Sequence, residues 1–83
     1  MNLEEILVKV QDAVYSQTAK QLNYDDVLME NGIDSVSIIE LIMNIEELFS
    51  MEFESSKLNY KLLKSIRTIG EHVYFSSQDG LHE

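Results

Sequence analysis

Cysteine, proline and tryptophan are absent from this chain of 83 residues. Without cysteine there is no disulfide and no thiolate to hold a metal. The absence fits a reducing compartment. No apolar run approaches the roughly 20 residues that cross a bilayer. "MNLEEIL" opens with acids where a secretion signal needs basic charge. A single soluble domain is therefore expected, cytoplasmic and monomeric, with no membrane span. A chain this short buries roughly 60–65% of its unfolded surface on folding, so one modest core is expected and a deep catalytic cavity is not.

Basic residues are scarce and unevenly placed. Between Gln21 and Ser56 there is no Lys or Arg, while nine acids stand there: Asp25, Asp26, Glu30, Asp34, Glu40, Glu46, Glu47, Glu52 and Glu54. The remainder holds six acids and six bases, so the whole formal charge of −9 belongs to that segment. Four of the bases, Lys57, Lys61, Lys64 and Arg67, follow directly after it. Such a segment repels phosphates, which argues against nucleic acid as a partner. A protein with a basic patch is its natural complement.

Three helical patterns can be read along the chain. Asn2 is placed to cap the first, in which Leu3, Ile6, Leu7, Val10, Ala13 and Val14 recur three and four apart. This spacing predicts a helix over 3–19. A loop follows, with Leu22, Val27 and Leu28 as pegs into the core and Asn31-Gly32 as a turn. The second helix is expected over 35–49, with Asp34 as N-cap. Its core arc comprises Ile38, Leu41, Ile42, Ile45, Leu48 and Phe49, at about 100° per residue. One short helical turn is expected near 57–62. Ser65 then caps a last helix with Ile66, Ile69 and Val73 on one side. Gly70 should weaken that helix by roughly 1 kcal/mol relative to alanine. "SSQDGLHE" reads as a polar, flexible tail over 76–83, leaving a folded domain over 1–75. No strand-like alternation or internal repeat is present. The expected fold is all-α: a small antiparallel bundle of three main helices plus a short fourth.

The core arc leaves part of the second helix unexplained. Val36, Ile39 and Met43 are spaced three and four apart on about the opposite side. Glu46 flanks them on one edge, with Glu40 and Glu47 on the other. Either the stripe packs under the loop, or it is an exposed apolar strip ringed by carboxylates and suited to docking.

Ser35 opens this helix, and several roles compete for it. It could be a plain first-turn or capping residue. It lacks the setting of a hydrolytic nucleophile: there is no G-x-S-x-G turn, and the histidines, His72 and His82, lie in the last helix and the tail. "DDVLMENGIDSV" does not have the register of a calcium loop. No catalytic residue and no metal site are expected. A helix N-terminus does tolerate a covalently attached phosphate well. Gly32 would allow close approach of an enzyme, and Asp34 could assist a metal-dependent transfer. Simple phosphorylation and a larger group both remain open on these grounds.

"ENGIDSVSIIELIMNIEELF" resembles the phosphopantetheine attachment region of the acyl carrier protein family. The family's D-S pair is matched by Asp34-Ser35, and its "EL-M--EE-F" helix by Glu40, Leu41, Met43, Glu46, Glu47 and Phe49. In "LNYKLLKSIRTIGEHV", Leu63, Ile66 and Ile69 match late apolar positions of the family, so the resemblance spans nearly the whole chain. It implies that Ser35 carries a 4′-phosphopantetheine arm, installed from coenzyme A by a phosphopantetheinyl transferase with Mg²⁺ and supported by Asp34. The arm's thiol would hold acyl or aminoacyl groups as thioesters for delivery to loading enzymes, acyltransferases and synthases with basic docking patches. The protein itself would then be no enzyme. By the same resemblance, Val36, Ile39, Glu40, Met43 and Glu47 are the residues that partners read. A cargo folded back into the bundle would meet Leu41, Ile45 and Ile66.

Three departures from the housekeeping fatty-acid pattern stand out. Ile33 replaces a small residue before D-S, Ser37 stands where an acid is usual, and "KLNYKLLKSIRTI" is unusually basic. The resemblance therefore points to a free-standing carrier of a specialised pathway, polyketide, nonribosomal peptide or related. A fatty-acid carrier is the alternative. An acidic protein-binding module without a prosthetic group is the rival of another class.

Overall fold

A computed structural model describes residues 1–80. Three α-helices form in chain order: α1 (Leu3–Thr18), α2 (Ser35–Phe49) and α3 (Ile66–Gly80). Two single 3₁₀ turns, Met29–Asn31 and Ser55–Lys57, interrupt the connections. Among the described residues there is no strand.

Each helix boundary has a local cause. Asn2 accepts the Glu5 N–H at 2.8 Å, and the Glu5 carboxylate accepts the Asn2 N–H at 3.1 Å, a reciprocal cap that starts α1. Ala19, expected inside the helix, instead ends it in left-handed backbone (φ 61°) and donates its N–H to Tyr15 at 2.7 Å. Asp34 starts α2, and Ser50 closes it with φ 52°. Ser65 and Thr68 exchange bonds at the mouth of α3, where each hydroxyl oxygen accepts the other residue's N–H, at 3.0 and 3.2 Å.

The core draws on all three helices. Ile6, Leu7, Val10 and Val14 of α1 meet Ile38, Leu41, Ile42 and Ile45 of α2 and Ile66, Ile69 and Val73 of α3. Leu22, Leu28, Ile33 and Phe53 are buried contributions from the connections. The long loop before α2 is fastened to the start of α3: Leu28 N–H donates to the Lys64 carbonyl and Arg67 N–H to the Tyr24 carbonyl, both at 2.9 Å. The first of these bonds satisfies the N–H of the buried Leu28.

Several expectations need correction. Leu48 was expected in the core arc, yet it is 51% exposed. It is the penultimate residue of α2, at the edge of that arc, and lines an open groove beside Ala13, Ser16 and Gln17 of α1. Val27 is only partly buried, while Leu22 and Leu28 anchor the loop as expected, joined by Ile33. The expected turn near 57–62 is a 3₁₀ turn at Ser55–Lys57, so the short fourth helix shrinks to three residues. A second 3₁₀ turn before Gly32 was not foreseen. Helix α3 continues to Gly80, so residues 76–80 of the expected tail are helical. Residues 81–83 of that tail lie outside the described residues.

Candidate functional site

Leu28 and Ile33 are both buried, and the Ile33 N–H donates to the Leu28 carbonyl at 3.2 Å. Between them the 3₁₀ turn closes at Gly32, whose φ of 83° is a conformation that side-chain-bearing residues rarely adopt. The turn points the chain into α2. Asp34 takes extended backbone, and its carboxylate accepts the Ser37 N–H at 2.8 Å. This bond, with help from the Ser37 hydroxyl, holds the Asp34 carboxyl below the usual aspartate range, so it is an anion at neutral pH.

Because Asp34 performs the capping, the Ser35 hydroxyl is not needed for it. Ser35 is the first residue of α2, exposed, and its hydroxyl makes no hydrogen bond to a described residue. No base is positioned to activate it. His72 sits on α3 and stacks on Phe53, with ring centroids 5.0 Å apart. The site thus presents a free oxygen at the positive end of a helix, with an anionic carboxylate on the preceding residue. That arrangement suits a hydroxyl modified by another enzyme better than one that attacks by itself.

The second stripe of α2 is exposed, which settles the choice left open by its periodicity. Val36, Ile39 and Met43 are 70%, 47% and 62% exposed, and Glu40 and Glu47 are exposed beside them. Glu46 behaves differently. Its carboxylate turns toward the following loop and accepts the Phe53 N–H at 2.8 Å. It is a strut between α2 and the loop. Leu41, Ile45 and Ile66 are fully buried in the core.

Residues 4–73 match the family described as "Phosphopantetheine attachment site". The chain belongs to the acyl carrier protein family. It is 28% identical over 79 residues to the acyl carrier protein of Exiguobacterium sibiricum, covering 90% of this chain and 94% of that protein. The cofactor of the family, a covalently attached 4′-phosphopantetheine, is the cofactor of this carrier, and the open serine at the start of α2 fits it. Among the described residues no helix is long and apolar enough to cross a membrane.

Sequence reasoning missed one group of residues around this site. Gln17, near the end of α1, is bonded to Ser37 in the first turn of α2 and to Asn44 further along that helix. The Gln17 amide donates to the Ser37 carbonyl at 2.7 Å, and the Asn44 amide donates to Gln17 at 2.9 Å. Polar residues 20 and 27 positions apart carry no signal of contact in a sequence.

Proposed function

We propose that Ser35 Oγ is the anchor of the 4′-phosphopantetheine arm and that Asp34 assists its installation by a phosphopantetheinyl transferase with Mg²⁺. When attached, the arm supplies a terminal thiol that carries acyl or aminoacyl groups as thioesters. The chain's own residues then hold and present. Helix α2 begins at the anchor, Asp34 secures its first turn, and Val36, Ile39 and Met43 offer an apolar contact strip with Glu40 and Glu47 steering basic partners. The chain performs no chemistry of its own; loading and transfer belong to the enzymes it visits.

The observation that carries this reading is the free, exposed hydroxyl of Ser35 on a turn whose capping is already done by Asp34. The test is intact-mass analysis after incubation with a broadly acting transferase, coenzyme A and Mg²⁺. Wild type should gain one pantetheinyl mass, and Ser35→Ala should gain none while unfolding within about 0.5 kcal/mol of wild type. A wild-type chain that gains no mass would support an acidic binding module instead. Reversal of charge at Glu47 should slow docking without unfolding the protein. Unchanged kinetics with every partner would mean that the acidic rim is merely solvated.

The pathway proposed is a specialised one, with fatty-acid synthesis as the alternative. Ser37 removes an acid from the first turn of α2, and Ile33 is a large residue accommodated in the core before Asp34-Ser35. Mass spectrometry of the protein taken from its native cells reads the arm and the cargo together, and a saturated fatty acyl chain there would favour the alternative.

A further inference from the structure

The end of α1 and the start of α2 meet through more than Gln17. Just past α1, Ala19 takes left-handed backbone, and Lys20 follows it. A Cβ built on Gly32 would lie 3.3 Å from Lys20 Nζ and 3.5 Å from Lys20 Cε. The ammonium therefore rests against the Gly32 turn, three residues before Ser35. Lys20 is the only basic residue between Lys9 and Lys57, and it makes no ion pair with a described residue. In a chain of net charge −9, a cation beside the most acidic segment yet paired with no carboxylate calls for an explanation.

We propose that Lys20 is a positioning residue for the phosphodiester that joins the arm to Ser35. This inference rests on Ser35 being the anchor. A phosphodiester adds a negative charge to a segment that already carries nine acids. The Cα atoms of Gly32 and Ser35 lie at most about 11 Å apart and the ammonium rests against Gly32, so both charges fall inside the ~30 Å screening length at about 0.01 M salt. Gly32 keeps the side of the turn facing Lys20 free of a Cβ, so the ammonium can lie flat on the backbone and swing toward the phosphate. Opposite charge at this distance biases where the first bonds of the arm point, and it offsets part of the repulsion from Asp34.

The experiment compares the same chain without and with the arm, at low salt, by NMR of the lysine Cε–H signals. The Lys20 signals should shift on attachment, and the shift should shrink as salt is added. Lys9, eleven residues earlier in the chain, should move less. In the armed protein, Lys20→Gln should displace the phosphorus resonance of the arm, and Lys20→Arg should restore it. If the mass of the arm is gained but Lys20 moves no more than Lys9 and the phosphorus signal ignores Lys20→Gln, the inference is overturned while Ser35 stands as anchor. If no arm is gained, the anchor assignment fails and this inference with it.

Discussion

Gly70 and Leu7 approach so closely that a Cβ at position 70 would lie 2.6 Å from Leu7 Cδ2. This glycine is the point at which α3 packs down on α1. Helix propensity alone says that Gly70→Ala should stabilise the protein by roughly 1 kcal/mol. Packing says the opposite, because Leu7 is itself buried in the core and overpacking costs about 1–3 kcal/mol. Gly70→Ala is expected to lower the urea midpoint. A Leu7→Ala substitution should cost less in that background than in wild type. A higher midpoint for Gly70→Ala would contradict the close approach.

Two adjacent glutamates of α2 should separate cleanly. Glu46→Ala strands the Phe53 N–H at the edge of the core, a loss of about 1–3 kcal/mol. Glu46→Gln keeps an acceptor and should recover most of that. Glu47→Ala, on the exposed rim, should change stability by no more than ~0.5 kcal/mol. Denaturant unfolding of the three variants checks the order, and equal losses at 46 and 47 would argue against the strut.

Acid should loosen the attachment of the α1–α2 loop to α3. Arg67 Nε and Nη2 donate to the Asp25 carboxylate at 2.6 and 3.2 Å, and these bonds hold the Asp25 carboxyl below its ordinary range. A depressed folded-state value means stabilisation that is full above the unfolded aspartate pKa of about 3.9 and is lost as pH falls through the folded value. Both groups are exposed, so the effect is expected to be local and weakened by salt. Carboxyl NMR from acid to neutral pH should give a low midpoint for Asp25 in wild type and an ordinary one in Arg67→Ala.

Added salt should raise the melting temperature. Two carboxylates about 10 Å apart repel by ~0.4 kcal/mol in water before screening. Of the nine acids between Gln21 and Ser56, Asp25 alone is in an ion pair among the described residues. The repulsion among the others is relieved by screening. A melting temperature that stays flat between low and moderate ionic strength would show that these charges do not burden the fold.

Local chemistry is readable in a sequence because it acts over a few residues. The reach of a side-chain cap is three residues, so Asn2, Asp34 and Ser65 announced the starts of all three helices. The period of apolar residues is a property of one helix, so the buried faces of α1 and α3 and most of that of α2 were legible. The D-S pair and its acidic helix were equally plain, and with them the family. Periodicity does not reveal how closely a neighbouring element packs. That is why Leu48 at the edge of its arc had to be found exposed, and why the Val36–Met43 stripe could not be assigned to solvent or loop beforehand. A carboxylate's partner is likewise invisible when it lies across a turn, so Glu46 looked like part of the docking rim. Gly70 shows the division most sharply. Its residue type predicts a weak point in an isolated helix, and only the packing of α3 on α1 makes the missing Cβ a requirement, because contact between helices depends on distances in space that no interval along the chain encodes.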